Sequence, residues 1–93
     1  YNGKVCPELF RNMGKAFGLN MEYASDDEAV NKVVNAVQEL SRKLNIPQTL
    51  REVGIPEDKL RTLAEQAIND PCTPGNPRPV TVDDIVNIYK EAY

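Results

Sequence analysis

The stretch SDDEAVNKVVNAVQELSRKL, residues Ser25 to Leu44, decides how this chain folds. Ser25-Asp26-Asp27-Glu28 is a capping box, in which the Ser25 and Glu28 side chains each satisfy the other's free backbone amide and so start a helix at Asp26. Beyond it Val30, Val33, Val34, Val37, Leu40 and Leu44 recur at three- and four-residue intervals, with Asn31, Lys32, Asn35, Gln38, Glu39, Arg42 and Lys43 on the other side. Acidic residues lead and basic residues trail, as the helix dipole favours. The valines lower helix propensity by about a few tenths of a kcal/mol each. Burying such a side chain returns roughly 1.5 to 3 kcal/mol. Packing therefore decides for helix, and Asn45-Ile46-Pro47 ends it, because proline disfavours helical geometry at the residue before it.

On the N-terminal side, Leu9, Phe10, Met13 and Phe17 share one face of a helix opened by Pro7 and closed by Gly18. On the C-terminal side, Thr49 to Val53 reads as one short turn closed by Gly54. Pro56 then opens a helix with Leu60, Leu63, Ala64, Ala67 and Ile68 on one face, broken at Asp70-Pro71. Thr81 caps a last helix with Asp83 and Asp84 in its first turn and Val82, Ile85, Val86, Ile88, Tyr89 and Ala92 as its apolar stripe. No two-residue alternation persists anywhere. The expected fold is all-α, a helical bundle of four main helices over about residues 7–17, 26–44, 57–69 and 82–92 plus the short turn.

Composition narrows the function. The 93 residues, 41% hydrophobic and 27% charged, suit one small globular domain. A net charge of -3 without a Lys/Arg run disfavours nucleic acid and anionic membranes as partners. No apolar stretch is long enough for a membrane span, and the N-terminal residues do not resemble a signal peptide. Cys6 and Cys72, 66 positions apart, read as reduced thiols, which points to a cytoplasmic setting. There is no histidine, so the commonest metal ligand and the commonest general base at neutral pH are missing. No phosphate-binding glycine loop, paired CxxC or helical HExxH occurs. Asp26-Asp27-Glu28 and Asp83-Asp84 read as helix caps, and Cys72 has no imidazole to activate it as a nucleophile.

One segment is unusual for a connector. Pro71-Cys72-Thr73-Pro74-Gly75-Asn76-Pro77-Arg78-Pro79 has too many breakers for a regular element, and its prolines stiffen a backbone carrying a thiol, a hydroxyl, an amide and a guanidinium. A loop of fixed shape bearing polar groups suits a site held by a scaffold. A rigid crossover between two helices is the alternative.

Asp70-Pro71-Cys72-Thr73, Gly75-Asn76-Pro77-Arg78 and Thr81-Val82-Asp83-Asp84-Ile85 together resemble the closing segment of the iron-containing alcohol dehydrogenases. Leu44-Asn45-Ile46-Pro47, Leu50-Arg51-Glu52-Val53-Gly54-Ile55 and Leu63-Ala64-Glu65-Gln66-Ala67 continue that resemblance upstream, in the same order and at similar spacing. It covers essentially all of residues 1–93. It implies the C-terminal part of a larger all-helical domain, with the dinucleotide-binding domain and the metal-ligand segment absent from these residues. In the intact enzyme, hydride would pass between a short primary alcohol or diol and NAD(P), with Fe²⁺ as Lewis acid. No catalytic, cofactor-binding or metal position is carried over to this chain, and alone it is expected to be inactive and to hold no cofactor. Cys72, Thr73 and Asn76 are expected at the rim of the substrate cleft, with Cys72 as a soft wall and Thr73 and Asn76 bonding the loop to itself. The expected partner is the missing N-terminal part of the same enzyme, with self-association through a bared apolar face. A free-standing helical interaction module is the alternative function.

Overall fold

Ser25 accepts a hydrogen bond from the Glu28 N–H while Glu28 Oε2 accepts one from the Ser25 N–H at 2.7 Å. The helix they start, α2, runs over Asp26–Lys43 in the computed structural model, which describes residues 1–93. The other main helices are α1 (Pro7–Ala16), α3 (Leu60–Ala67) and α4 (Val82–Glu91), and no residue lies in a strand. Short 3₁₀ turns occupy Asn2–Lys4, Glu57–Lys59 and Thr73–Gly75. The chain forms two compact units, Tyr1–Ile46 and Pro47–Tyr93, each built on one helix pair.

Local hydrogen bonding explains where the elements stop. After α1, Gly18 at φ +73° lets its N–H reach the Lys15 carbonyl and the Leu19 N–H reach Gly14, the Schellman pattern. After α2 the same pattern is made by Asn45 at φ +55°, with Asn45 N–H bonded to Arg42 and Ile46 N–H to Ser41. The stop expected from Pro47 is therefore enforced two residues earlier by a left-handed asparagine. The short turn is a miniature of both devices: Glu52 accepts from Gln48 N–H and donates its own N–H to Thr49 Oγ1. Gly54 at φ +79° closes it, with Ile55 N–H on the Leu50 carbonyl.

Two expectations change. The third helix begins as 3₁₀ over Glu57–Lys59 and is α-helical only from Leu60. The proline-rich loop does contain a regular turn, Thr73–Gly75, because Pro74 stands where its missing N–H is not needed.

Packing is selective along each stripe. In the first unit Met21, Ala29 and Val33 are buried, with Phe10, Leu19 and Ala24 against them. Gly14 is buried under Met21, whose side chain leaves no room for a Cβ there. Leu9, Met13 and Phe17, expected on the apolar face of the first helix, are exposed, as are Val34, Val37 and Leu40 on α2 and Leu44 at its C-cap. In the second unit Ala64, Ile85 and Val86 form the core, flanked by Ala67, Ile68, Val80, Val82 and Tyr89.

The capping box supplies a direct test. Ser25→Ala is expected to cost about 1 kcal/mol, the usual value of an N-cap. The backbone hydrogen bond from Ser25 holds the Glu28 carboxyl below its ordinary 4.5. A depressed pKa stabilises above the ordinary value and is lost as pH falls through the folded-state value. The stability gap between Glu28→Gln and the parent should therefore be present above pH 4.5 and close on further acidification. A gap independent of pH in denaturant titrations would show that the carboxylate charge has no part in the cap.

Candidate functional site

The loop from Asp70 to Val80 leaves α3 and returns as α4, and its own side chains hold its shape. Asp70 Oδ1 accepts the Cys72 N–H at 2.8 Å, and the Asp70 carbonyl accepts the Thr73 N–H at 3.0 Å. Thr73 Oγ1 donates to the Ala67 carbonyl at 2.7 Å, tying the loop back to the last residue of α3. The 3₁₀ turn is closed by Gly75 N–H on Cys72 and Asn76 N–H on Thr73. Asn76 Nδ2 donates to the Arg78 carbonyl, and Thr81 and Asp84 then form the capping box of α4. Thr73 and Asn76 thus bond the loop to itself, as such residues do in turns.

These bonds shape an open recess of about 460 Å³ whose wall includes Ile68, Thr73, Asn76, Arg78 and Val80. Prolines 74, 77 and 79 complete its lining, so the wall is mainly apolar and conformationally restricted. Of the three expected rim residues, Thr73 and Asn76 are half-buried and line this recess. Cys72 does not line it; its thiol is free and exposed. Asp70 was not among the expected rim residues, although Asp two positions before a bonded N–H is the Asx-turn signature.

Other polar groups have structural partners in the helix pairs. Arg11 Nη2 lies 2.6 Å from Asp26 Oδ1 and donates to the Ala24 carbonyl at 2.9 Å, joining the start of α2 to α1. Arg61 pairs with Asp83 at 3.0 Å across α3 and α4. Of the acidic helix starts, Glu28 and Asp84 serve the caps and Asp26 and Asp83 are ion-pair partners. Cys6, half-buried before α1, donates its thiol to the Asn2 carbonyl at 3.2 Å. No group of three or more His, Cys, Asp or Glu side chains is placed to hold a metal ion, and the residues present do not fit an iron site. No helix is long and apolar enough to cross a membrane.

Against known proteins, residues 1–93 match a family model described as "Fe-containing alcohol dehydrogenase family, C-terminal". Lactaldehyde reductase of Escherichia coli (strain K12) is 40% identical over 93 residues, covering 100% of this chain and 24% of that protein. NADPH-dependent butanol dehydrogenase of Clostridium saccharobutylicum is 34% identical over 97 residues, with the same two coverages, 100% and 24%. The crystal structure of a 1,3-propanediol oxidoreductase superposes with TM-score 0.95 at 32% identity, again over 100% of this chain and 24% of that one. The chain spans about a quarter of the length of these relatives. Neither the fold nor these matches supports a free-standing interaction module.

Proposed function

Because the chain belongs to the Fe-containing alcohol dehydrogenase family, as its C-terminal part, we propose that it forms one wall of the substrate cleft in an oxidoreductase acting on short primary alcohols or diols. The observation that carries this reading is the match over all 93 residues to alcohol and diol oxidoreductases, joined to a loop whose backbone is fixed by its own side chains. The proposed enzyme uses iron and NAD(P), both held by residues outside this chain, and works in the cytoplasm. No chemical step passes through Cys6, Cys72 or the helix-start acids. The work assigned to these residues is shape: they bound the alcohol and exclude water.

Within that wall, Cys72 is the proposed contact with the alcohol's carbon chain. The prolines on either side leave the backbone little freedom, and an exposed small thiol offers an apolar, polarisable surface. Thr73 and Asn76 complete the rim from the recess side.

In the longer polypeptide that carries this segment, NAD(P)-linked oxidation of short primary alcohols is expected. Cys72→Leu should depress kcat/KM more for larger alcohols than for small ones, by roughly tenfold or more across one added methylene, the usual scale of a filled pocket. An alcohol series whose ratios stay unchanged, in a variant that folds and keeps its metal, would return the loop to the role of a crossover. Absence of any NAD(P)-linked turnover in the iron-loaded parent would remove the oxidoreductase reading itself.

A further inference from the structure

The chain's most informative polar geometry outside the caps is the pair of bonds that meet on either side of Cys72. Asp70 Oδ1 holds the Cys72 N–H from one side at 2.8 Å. Thr73 Oγ1 holds the following residue to the Ala67 carbonyl at 2.7 Å. Ala67 closes α3 and itself flanks the buried Ala64, Ile85 and Val86 cluster. The turn carrying Cys72 is thus tied to α3 through Thr73 and closed on itself through Asp70. Neither Cys72 nor the prolines make that attachment, because Pro71 and Pro74 restrict their own φ without choosing which way the turn faces.

We propose that Asp70 and Thr73 are positioning residues that set the direction of the Cys72 side chain, and through it the size of alcohol the enzyme accepts. The proposal rests on the cleft-rim reading of Cys72. The turn at Cys72 is held by backbone bonds, with Gly75 N–H on the Cys72 carbonyl and Thr73 N–H on the Asp70 carbonyl, and by two side-chain bonds, from Asp70 and from Thr73, which are the ones a substitution can remove. Losing the Thr73 hydroxyl frees the turn from α3 while leaving side-chain volume nearly unchanged, as in Thr73→Val. Losing the Asp70 acceptor frees the Cys72 N–H. Both changes relax the turn that carries Cys72; Thr73→Val also alters a rim side chain, so Asp70→Ala, at a residue outside the recess lining, is the arm that isolates positioning.

The test uses the iron-loaded, full-length enzyme containing these residues, with ethanol, 1-propanol, 1-butanol and 1,2-propanediol as probes. Thr73→Val and Asp70→Ala are compared with Cys72→Leu and with the conservative Thr73→Ser. Expected are shifts in the ratio of kcat/KM between large and small alcohols of about three- to tenfold, the scale of one net hydrogen bond, entering mainly through KM. Thr73→Ser, which keeps the donor, should restore the parent ratios. Amide exchange at Cys72 should accelerate in Thr73→Val and Asp70→Ala, a readout independent of turnover. If Cys72→Leu moves the ratios but the other two do not, the positioning role is wrong while the rim stands. If none of the three moves them, the rim reading falls and the positioning role with it. A uniform fall in kcat across all alcohols, unrescued by serine, would also overturn the proposal, since it marks a merely structural role.

Discussion

Ile85→Ala is expected to remove about 2 to 5 kcal/mol of stability from the second unit, the range for truncating a buried isoleucine that leaves a cavity. Ile85 is 8% exposed and packs with Ala64, at 0%, and Val86. Ala64 has no side chain long enough to fill the space that a shortened residue 85 would leave, and its backbone is held in α3. The unit comprises residues 47–93. At the usual stability per residue, a unit of that size has only roughly 2 to 7 kcal/mol in total. One substitution is therefore enough to shift it toward the unfolded state. Ile88, three residues on and in the same sequence stripe, is 36% exposed. Its replacement by alanine should cost about 1 kcal/mol or less. Urea unfolding of the two variants compares them directly, and equal losses at 85 and 88 would mean that the core is not where the fold places it.

The second large effect is on association. At a rise of about 1.5 Å per residue, the 18 residues of α2 span roughly 27 Å and the 10 residues of α1 roughly 15 Å. The shorter helix cannot cover the longer one. The uncovered part carries Val37, Leu40 at 46% exposure and Leu44 at 61%. Contiguous apolar surface of this kind drives self-association, and the 93-residue chain is expected to dimerise or aggregate as concentration rises. In the full-length polypeptide the remaining chain is the proposed cover for the same face. Burying two leucines contributes roughly 3 to 6 kcal/mol, so the double substitution Leu40→Glu and Leu44→Glu should weaken association by about a hundred- to ten-thousandfold. Glutamate is a good helix former at position 40, and at the C-cap position 44 it opposes the helix dipole by only about 0.3 to 1 kcal/mol, so most of the helicity should be kept. Sedimentation of parent and double variant over a concentration series measures this. A parent that stays monomeric throughout, without binding a hydrophobic dye, would show that the face is tolerated by water.

Much of this fold was legible one element at a time. Ser25 with Glu28, Thr81 at the start of α4 and Gly18 after α1 all act through hydrogen bonds that close within a few residues, so the identity and spacing of neighbours suffice to place them. Thr49 with Glu52 obeys the same rule, and the one-turn element it caps lies where Gly54 predicted its end. The family resemblance was legible for a related reason. Its motifs are the loop and cap residues themselves, and their order along the chain survives without knowledge of what packs on what.

Burial was not legible in this way. Val33 and Val34 are neighbours of the same type in one helix, yet Val33 is buried and Val34 exposed. Ala29, absent from the apolar stripe read along α2, is 0% exposed. A helical stripe states which residues could face a partner, whereas the reach of that partner decides which of them do. The closest approach between helices selects small side chains that hydrophobicity alone ranks low. The loop divides along the same line. Its stiffness follows from prolines that each constrain their own φ, but the separation of the exposed Cys72 from the recess shared by Thr73 and Asn76 does not. That depends on the hydroxyl of Thr73 reaching the carbonyl of Ala67, six residues back on a helix whose position is set by packing.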